Sequence, residues 1–367
     1  MSDSPRYRDD IATPALVCDL DALDANVALM AVTCRGAGVA LRPHAKSHKS
    51  AFVARRQLAA GASGLACAKL AEAEALVDAL GDEALHVSIL LTSPLVGARA
   101  AARAALLAER CRLTIAVDSP VGVTEIASAR ARVDVVCDVD VGLGRTGVIG
   151  AAGALAVAAA TSAAGLGLTG VQAYGGHLQH LAGRDARRAA TAESASRLAE
   201  VVDALERAGF ECALRTGGGT GTAGIDVELG WLSELQPGSY VFMDREYRDA
   251  LGDDPEGRYA QSLFVDATVV SANHDGYVTV DAGFKALATD AGVPAVVRDA
   301  GEASYAFYGD EHGMVTYDRG HPLHRGDRVT LVPPHCDPTV DRYDRMWLVR
   351  GNDVIGAVPI DARGRAQ

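Results

Sequence analysis

The sequence predicts a (β/α)8 barrel of the TIM type followed by an antiparallel β domain. Three observations carry this. Over the first two-thirds of the chain, short apolar runs alternate with longer alanine- and leucine-rich stretches of helical spacing, the pattern of parallel strands with helical crossovers. The apolar runs number eight, the count that closes a TIM barrel. After about residue 256 the segments become short, β-branched and separated by Gly, Asp or Pro, as in hairpin-connected strands.

The strand candidates are, in order, VALRP (39–43), GLACA (64–68), HVSILL (86–91), RLTIAVD (112–118), VDVVCDV (133–139), LTGVQAY (168–174), CALRTG (212–217) and LQPGSYVF (235–242). Between them, KLAEAEALVDAL (69–80) and the long segment 186–209 have helical periodicity. The alanine-rich stretch 151–164 reads as a buried helix, and 221–234 as a weaker crossover holding a short one. The acidic stretch 244–257 reads as a linker. The second unit is expected from SLFVDATVVSA, GYVTVDAG, AVVRD, DRVTLVPP, RMWLVRG and DVIGAVPI. The expected division is a barrel over 15–250 and a β domain over 256–367 that also takes in 1–14. An open doubly wound sheet is the alternative that periodicity leaves open.

Composition narrows the function classes. The chain has 367 residues, 49% hydrophobic and 22% charged, enough apolar material for a sizeable core. No run of about eighteen uncharged apolar residues suggests a membrane span. The N-terminal MSDSPRYRDD has no apolar stretch of signal-peptide type. A net charge of −12 disfavours nucleic-acid binding, which needs a cationic face. The seven cysteines are scattered, mostly within strand-like runs, the pattern of reduced buried thiols in a cytoplasmic protein.

In a barrel the loops after the strands build the active site, so the test is where reactive side chains fall. Lys46, in PHAKSHK (43–49), follows the first strand. Arg145, in DVGLGRTG (140–147), follows the fifth, and Tyr174, His177 and His180 follow the sixth. TGGGTGT (216–222) follows the seventh. An amine, a guanidinium, imidazoles and a glycine-rich turn thus converge on one rim. Lys46 could be an ordinary solvated lysine. Its neighbours His44, His48 and Lys49 instead favour a lowered pKa and a free amine able to form a Schiff base. The glycines could be a flexible turn, or could let backbone amides approach a phosphate at a helix start. They match neither a Rossmann fingerprint nor a P-loop. In PPHCDPTVDRYD (333–344), His335 and Asp337 are two apart, so an extended segment would put both on one face and Cys336 on the other. Imidazole plus carboxylate suits Mn²⁺ or Mg²⁺ over Zn²⁺. A proline-bounded turn is the alternative reading.

PHAKSHK, AKLAEAEAL, DVGLGRTGV, QAYGGHLQH, TGGGT and HCDPTVDRYD recur in order in a known family. Together they resemble the D-threonine aldolase and D-serine dehydratase-like family of fold-type III, alanine racemase-like pyridoxal-phosphate enzymes. The likeness runs from Thr13-Pro14 to Asp344. It implies that Lys46 carries pyridoxal 5'-phosphate, that Arg145 lies beside the cofactor's phenolic oxygen, and that Tyr174 lies close to its ring. Thr216, Gly218, Gly219 and Thr220 would belong to the cofactor site, the last three to the phosphate cradle. His335 and Asp337 would be the metal pair of the aldolase branch, since the dehydratase branch has His-x-Cys there.

The implied reaction is metal-activated retro-aldol cleavage of a D-β-hydroxy amino acid, such as D-threonine, to glycine and an aldehyde. His180 is the expected base, with His177 as the alternative. The rivals are a D-serine dehydratase, a D-3-hydroxyaspartate aldolase or dehydratase, an amino-acid racemase, and a non-catalytic cofactor carrier. The family also implies a homodimer.

Overall fold

The structure is a computed structural model and describes residues 5–297, 303–317 and 323–367. Residues 1–4 of the expected N-terminal contribution, and Arg298 and Asp299 at the end of AVVRD, lie outside the described residues. Nine short or medium strands open the chain: β1 (Ala15–Asp19), β2 (Ala40–Leu41), β3 (Leu65–Cys67), β4 (Ser88–Leu91), β5 (Arg112–Val117), β6 (Asp134–Asp138), β7 (Gly167–Ala173), β8 (Leu214–Gly217) and β9 (Glu234–Leu235). The last eight form one parallel sheet in the order β2-β9-β8-β7-β6-β5-β4-β3. The seam between β2 and β3 is drawn together by a parallel bridge between His44 and Ala66 and by backbone bonds from Ser63 to Leu41 and from Ala66 to Pro43. This is the expected TIM-like barrel, each expected run supplying one strand.

Helices cover the outside. Leu70–Leu80 and Arg184–Arg207 match their expected positions, and the weak crossover holds the short helix Ala223–Leu229. The alanine-rich helix, Gly150–Ala163, buries only Ala154, Val157, Ala158 and Thr161. It is an ordinary one-faced surface helix. The expected linker is also ordered: Asp244 caps the helix Arg245–Leu251, whose Tyr247 and Leu251 are buried.

The remaining strands are β10 (Leu263–His274), β11 (Tyr277–Val280), β12 (Ala295–Val296), β13 (Ala303–Phe307), β14 (Gly313–Tyr317), β15 (Arg328–Val332), β16 (Arg345–Arg350) and β17 (Asp353–Pro359). They form a second sheet with the main order β13-β14-β11-β10-β1-β16-β17, while β15 pairs with β10 and β12. Here the structure corrects the expected boundary. Ala15–Asp19 does not begin the barrel; it lies between β10 and β16, antiparallel to the first and parallel to the second. ALVCD is apolar and buried along most of its length, as a central strand requires. A buried pair, Arg8 with Asp266 at 2.6 Å, fastens the N-terminal segment to the same sheet. No helix among the described residues is long and apolar enough to cross a membrane. All seven cysteines are free and buried, as their apolar settings predicted.

Candidate active site

Lys46 sits in a one-turn helix, Ala45–Ser47, directly after β2. The turn is held from both sides. The His44 ring accepts the Lys46 amide at 3.4 Å, and the carbonyl of Lys49 accepts the amide of Ala362. Lys49, at φ 50°, puts its amine 2.6 Å from Asp341 of the β domain. The Lys46 side chain keeps 40% of its surface accessible and reaches a cavity of about 630 Å³.

The expected lowering of the Lys46 pKa is not what the structure supports. His44 and His48 carry no positive charge near neutrality. Burial and the nearby Lys46 push His44 down to about 3, and burial pushes His48 down to about 4. The Lys49 charge is taken up by Asp341. The dominant influence is Asp337, whose Oδ2 lies 3.4 Å from Lys46 Nζ and whose carboxylate raises the amine above its usual range despite burial.

Arg145 and Tyr174 line the same cavity, with the guanidinium 5.4 Å from the centre of the Tyr174 ring. The Arg145 loop is pinned by a bridge between Val139 and Val148. Gly147 has φ +101°, and a Cβ there would lie 2.5 Å from the Asp140 amide, so the tight return demands glycine. Gln172 and Gln236 also line the cavity. Gln172 donates to Thr92 and Asp138, which leaves its buried Oε1 without a protein partner. Both glutamines lie on strand-like runs read only as hydrophobic barrel wall.

The glycine turn lies beside this wall. Gly218 has φ +68°, and a Cβ there would come within 2.4 Å of Asp226 Oδ2. At Gly219 it would come within 2.4 Å of Gln179 Oε1. Three of the turn's amides are already used: Gly219 donates to Asp226, Gly221 to Gln179 at 3.0 Å, and Thr222 to the Gly219 carbonyl at 3.4 Å. The Thr220 hydroxyl accepts the Tyr240 amide at 3.0 Å. Thr216 points into the barrel, donating to Glu234 at 2.9 Å and accepting from Gln236 at 2.8 Å. Glu234 is in turn held by Arg42 at 2.7 Å and Ser63 at 2.8 Å, a polar plug beneath the cavity.

His335 and Asp337 arrive from the β domain, though not on an extended segment. His335 caps a short helix, Cys336–Val340, and Asp337 stands in its first turn. The Cys336 amide donates to Asp244 at 2.8 Å, and its buried thiol lies 3.2 Å from Asp337 Oδ1. Burial opposes ionisation of Asp337, yet Lys46 and His335 hold its carboxyl well below the usual range. His335 Nδ1 lies 2.7 Å from Asp290 Oδ2. Burial pulls the His335 pKa down, but Asp337 and Asp290 more than offset it, and the net direction is up.

The structure separates the two candidate histidines. His180 is half-buried, with Nδ1 3.4 Å from Glu246 Oε1 and its ring 4.3 Å from that of Tyr247. Burial lowers it to about 4; His335 and Lys46 add to this and Asp337 opposes. His177 is exposed and packs by Gly142 and the Arg197 guanidinium. Asp244, Glu246 and Asp290 escaped sequence reasoning. The first two are in the stretch read as linker, where only the sequence DREY hinted at a helix cap.

The residues fit a pyridoxal phosphate: a reachable amine, an unpaired glutamine oxygen, and a glycine turn with no room for a Cβ. They also fit a divalent ion in a limited way. Among the described residues no group of three or more His, Cys, Asp or Glu side chains converges. His335 and Asp337 therefore offer one nitrogen and one oxygen, with other positions left to water or substrate. A carboxylate on Nδ1 leaves the Nε2 lone pair of His335 free, the usual outer support of a ligating histidine.

Residues 18–246 match the family "Alanine racemase, N-terminal domain", and 262–349 match "Putative serine dehydratase domain". The chain is 38% identical to a D-threonine aldolase of an Arthrobacter species, over 96% of its own length and 93% of that protein. It is 35% identical to a 3-hydroxy-D-aspartate aldolase of Paracoccus denitrificans (strain Pd 1222), over 97% of its own length and 93% of the relative's. The crystal structure of D-threonine aldolase from Filomicrobium marinum superposes with a TM-score of 0.94 at 35% identity, covering 99% of this chain and 98% of that one. On the barrel, the second sheet and these likenesses, the chain belongs to the D-threonine aldolase and D-serine dehydratase-like family of alanine racemase-like, fold-type III pyridoxal-phosphate proteins.

Proposed function

We propose that this protein cleaves the Cα–Cβ bond of a D-β-hydroxy-α-amino acid of the D-threonine kind, releasing an aldehyde and leaving glycine. The observation that carries the reading is the 3.4 Å approach of Lys46 to Asp337, with His335 capping the helix whose first turn holds Asp337 and with His180 feeling the charges of all three. An amino-acid racemase would not need an imidazole–carboxylate pair at this point. In this reading Lys46 holds the coenzyme, and Arg145 and Tyr174 orient it. The glycine turn around Gly218, Gly219 and Thr220 takes its phosphate, and Thr216 supports the floor through Gln236. His335 and Asp337 hold Mn²⁺ or Mg²⁺, because a carboxylate–imidazole pair favours a harder ion than a thiolate would. Bound there, the two groups supply an electron sink for the pair left on Cα and Lewis acidity at the β-hydroxyl. His180, neutral near pH 7 because of its burial, accepts the β-hydroxyl proton through Nε2. His177, turned towards solvent, is the lesser candidate.

The match of 262–349 to a serine dehydratase domain favours the second reading, loss of the β-hydroxyl as water. The sequence His335-Cys336-Asp337, with its thiol buried, argues for the aldolase instead. Assays of D-threonine, D-3-hydroxyaspartate and D-serine with Mn²⁺, and again after chelation, test this through their products. Glycine plus aldehyde supports the aldolase; an oxo acid plus ammonia overturns it. A homodimeric, cytoplasmic enzyme is part of the same proposal.

A further inference from the structure

We propose that Glu246 is the positioning residue of the base, holding the His180 imidazole in the tautomer whose proton is on Nδ1. The inference rests on the function proposed above and adds a residue to it. Glu246 is in the first turn of the helix Arg245–Leu251, and that turn is fixed by four bonds. Asp244 accepts the amides of Tyr247 at 2.9 Å and Cys336 at 2.8 Å. Arg245 and Glu246 donate their own amides to the carbonyls of Pro333 and Pro334, at 3.0 and 3.1 Å. The helix start is therefore docked on the segment that ends in His335. So placed, the Glu246 carboxylate lies 3.4 Å from His180 Nδ1, while the Tyr247 ring packs on the imidazole at 4.3 Å.

The other nitrogen completes the argument. His180 Nε2 is buried and has no protein partner. A neutral imidazole has a single N–H, and a carboxylate only accepts. The proton therefore belongs on Nδ1, and Nε2 keeps its lone pair, on a ring that feels the charges of Lys46, His335 and Asp337. Without the carboxylate both tautomers become accessible, and the one with Nε2 protonated cannot take a proton from a hydroxyl.

The test uses the holoenzyme with pyridoxal phosphate and Mn²⁺, D-threonine as substrate, and selective ¹⁵N-histidine labelling. Glu246→Ala should lower kcat about tenfold to a hundredfold, part of what a positioned base contributes. KM should barely move, and the ¹⁵N shifts of His180 should turn from one tautomer to a mixture. Glu246→Gln keeps an oxygen that accepts Nδ1–H and should recover most of both readouts. Wild-type kcat in Glu246→Ala, or a loss of kcat with the His180 shifts unchanged, would overturn the inference. His180→Ala separates the two claims. If it is as active as wild type, the base assignment itself fails; if it is inactive while Glu246→Ala is normal, only the role of Glu246 fails.

Discussion

At the scale of single residues, the site is a set of opposed charges brought together from both ends of the chain. Lys46 was legible as the candidate lysine because it follows the first barrel strand inside a cluster of unusual residues. Its protonation was not legible, because the deciding neighbour, Asp337, lies far along the sequence and reaches it only through folding. Borohydride reduction of the holoenzyme, followed by peptide mapping, should place the label on Lys46; label elsewhere, or none, rejects the assignment. Asp337→Ala should abolish activation by Mn²⁺. The same variant removes the carboxylate that raises the Lys46 pKa. In metal-free protein, pyridoxal phosphate uptake should then extend to lower pH than in wild type, where more of the amine is protonated. Uptake with an unchanged pH profile would show that Asp337 does not control the amine.

Among the elements, the glycine turn was readable as a backbone device, but the residue that shapes it was not. Asp226 lies in the short helix Ala223–Leu229, expected within the weak crossover, but nothing local marks its carboxylate as buried. Its carboxylate accepts the Thr222 hydroxyl at 2.7 Å, the Trp231 indole at 2.9 Å and the Gly219 amide. Burial outweighs these bonds and raises its pKa to about 7. A carboxyl raised above its unfolded value of about 4 stabilises most at acid pH. That contribution declines as pH climbs through about 7, because the folded state holds the proton longer. Asp226→Asn should therefore remove this slope: its melting temperature relative to wild type should improve steadily from about pH 4 to pH 7. A difference that does not change with pH would mean that Asp226 is ionised throughout. Separately, Gly219→Ala would set a Cβ 2.4 Å from Gln179 Oε1 and shift the turn. Equilibrium dialysis should show weaker retention of pyridoxal phosphate, with the fold intact by circular dichroism.

Across the whole molecule, the eight barrel strands could be read from periodicity, since each crossover leaves its own apolar run. The second sheet was read in part. β13 and β14 were passed over because their segments mix polar and apolar residues, and β1 was misassigned because adjacency in sequence suggested the barrel. The two units meet at the site: Lys49 pairs with Asp341, Ser50 donates to the Pro359 carbonyl, and the Ala51 amide donates to Asp361. A divalent ion held by His335 and Asp337 should thus stabilise the whole fold. At a hundred times its dissociation constant, Mn²⁺ should add about 2.7 kcal/mol to unfolding, read as a higher melting temperature. Asp337→Ala should show no such gain; an equal gain there would put the ion elsewhere.

The placement of β1 has a consequence for biosynthesis. Its partners, β10 and β16, emerge from the ribosome only after every barrel strand has been translated. The nascent barrel is thus free to condense while a greasy five-residue ribbon at its leading end stays unpaired. The last stage of maturation becomes a capture event, in which β1 slots between β10 and β16, both made after the barrel strands.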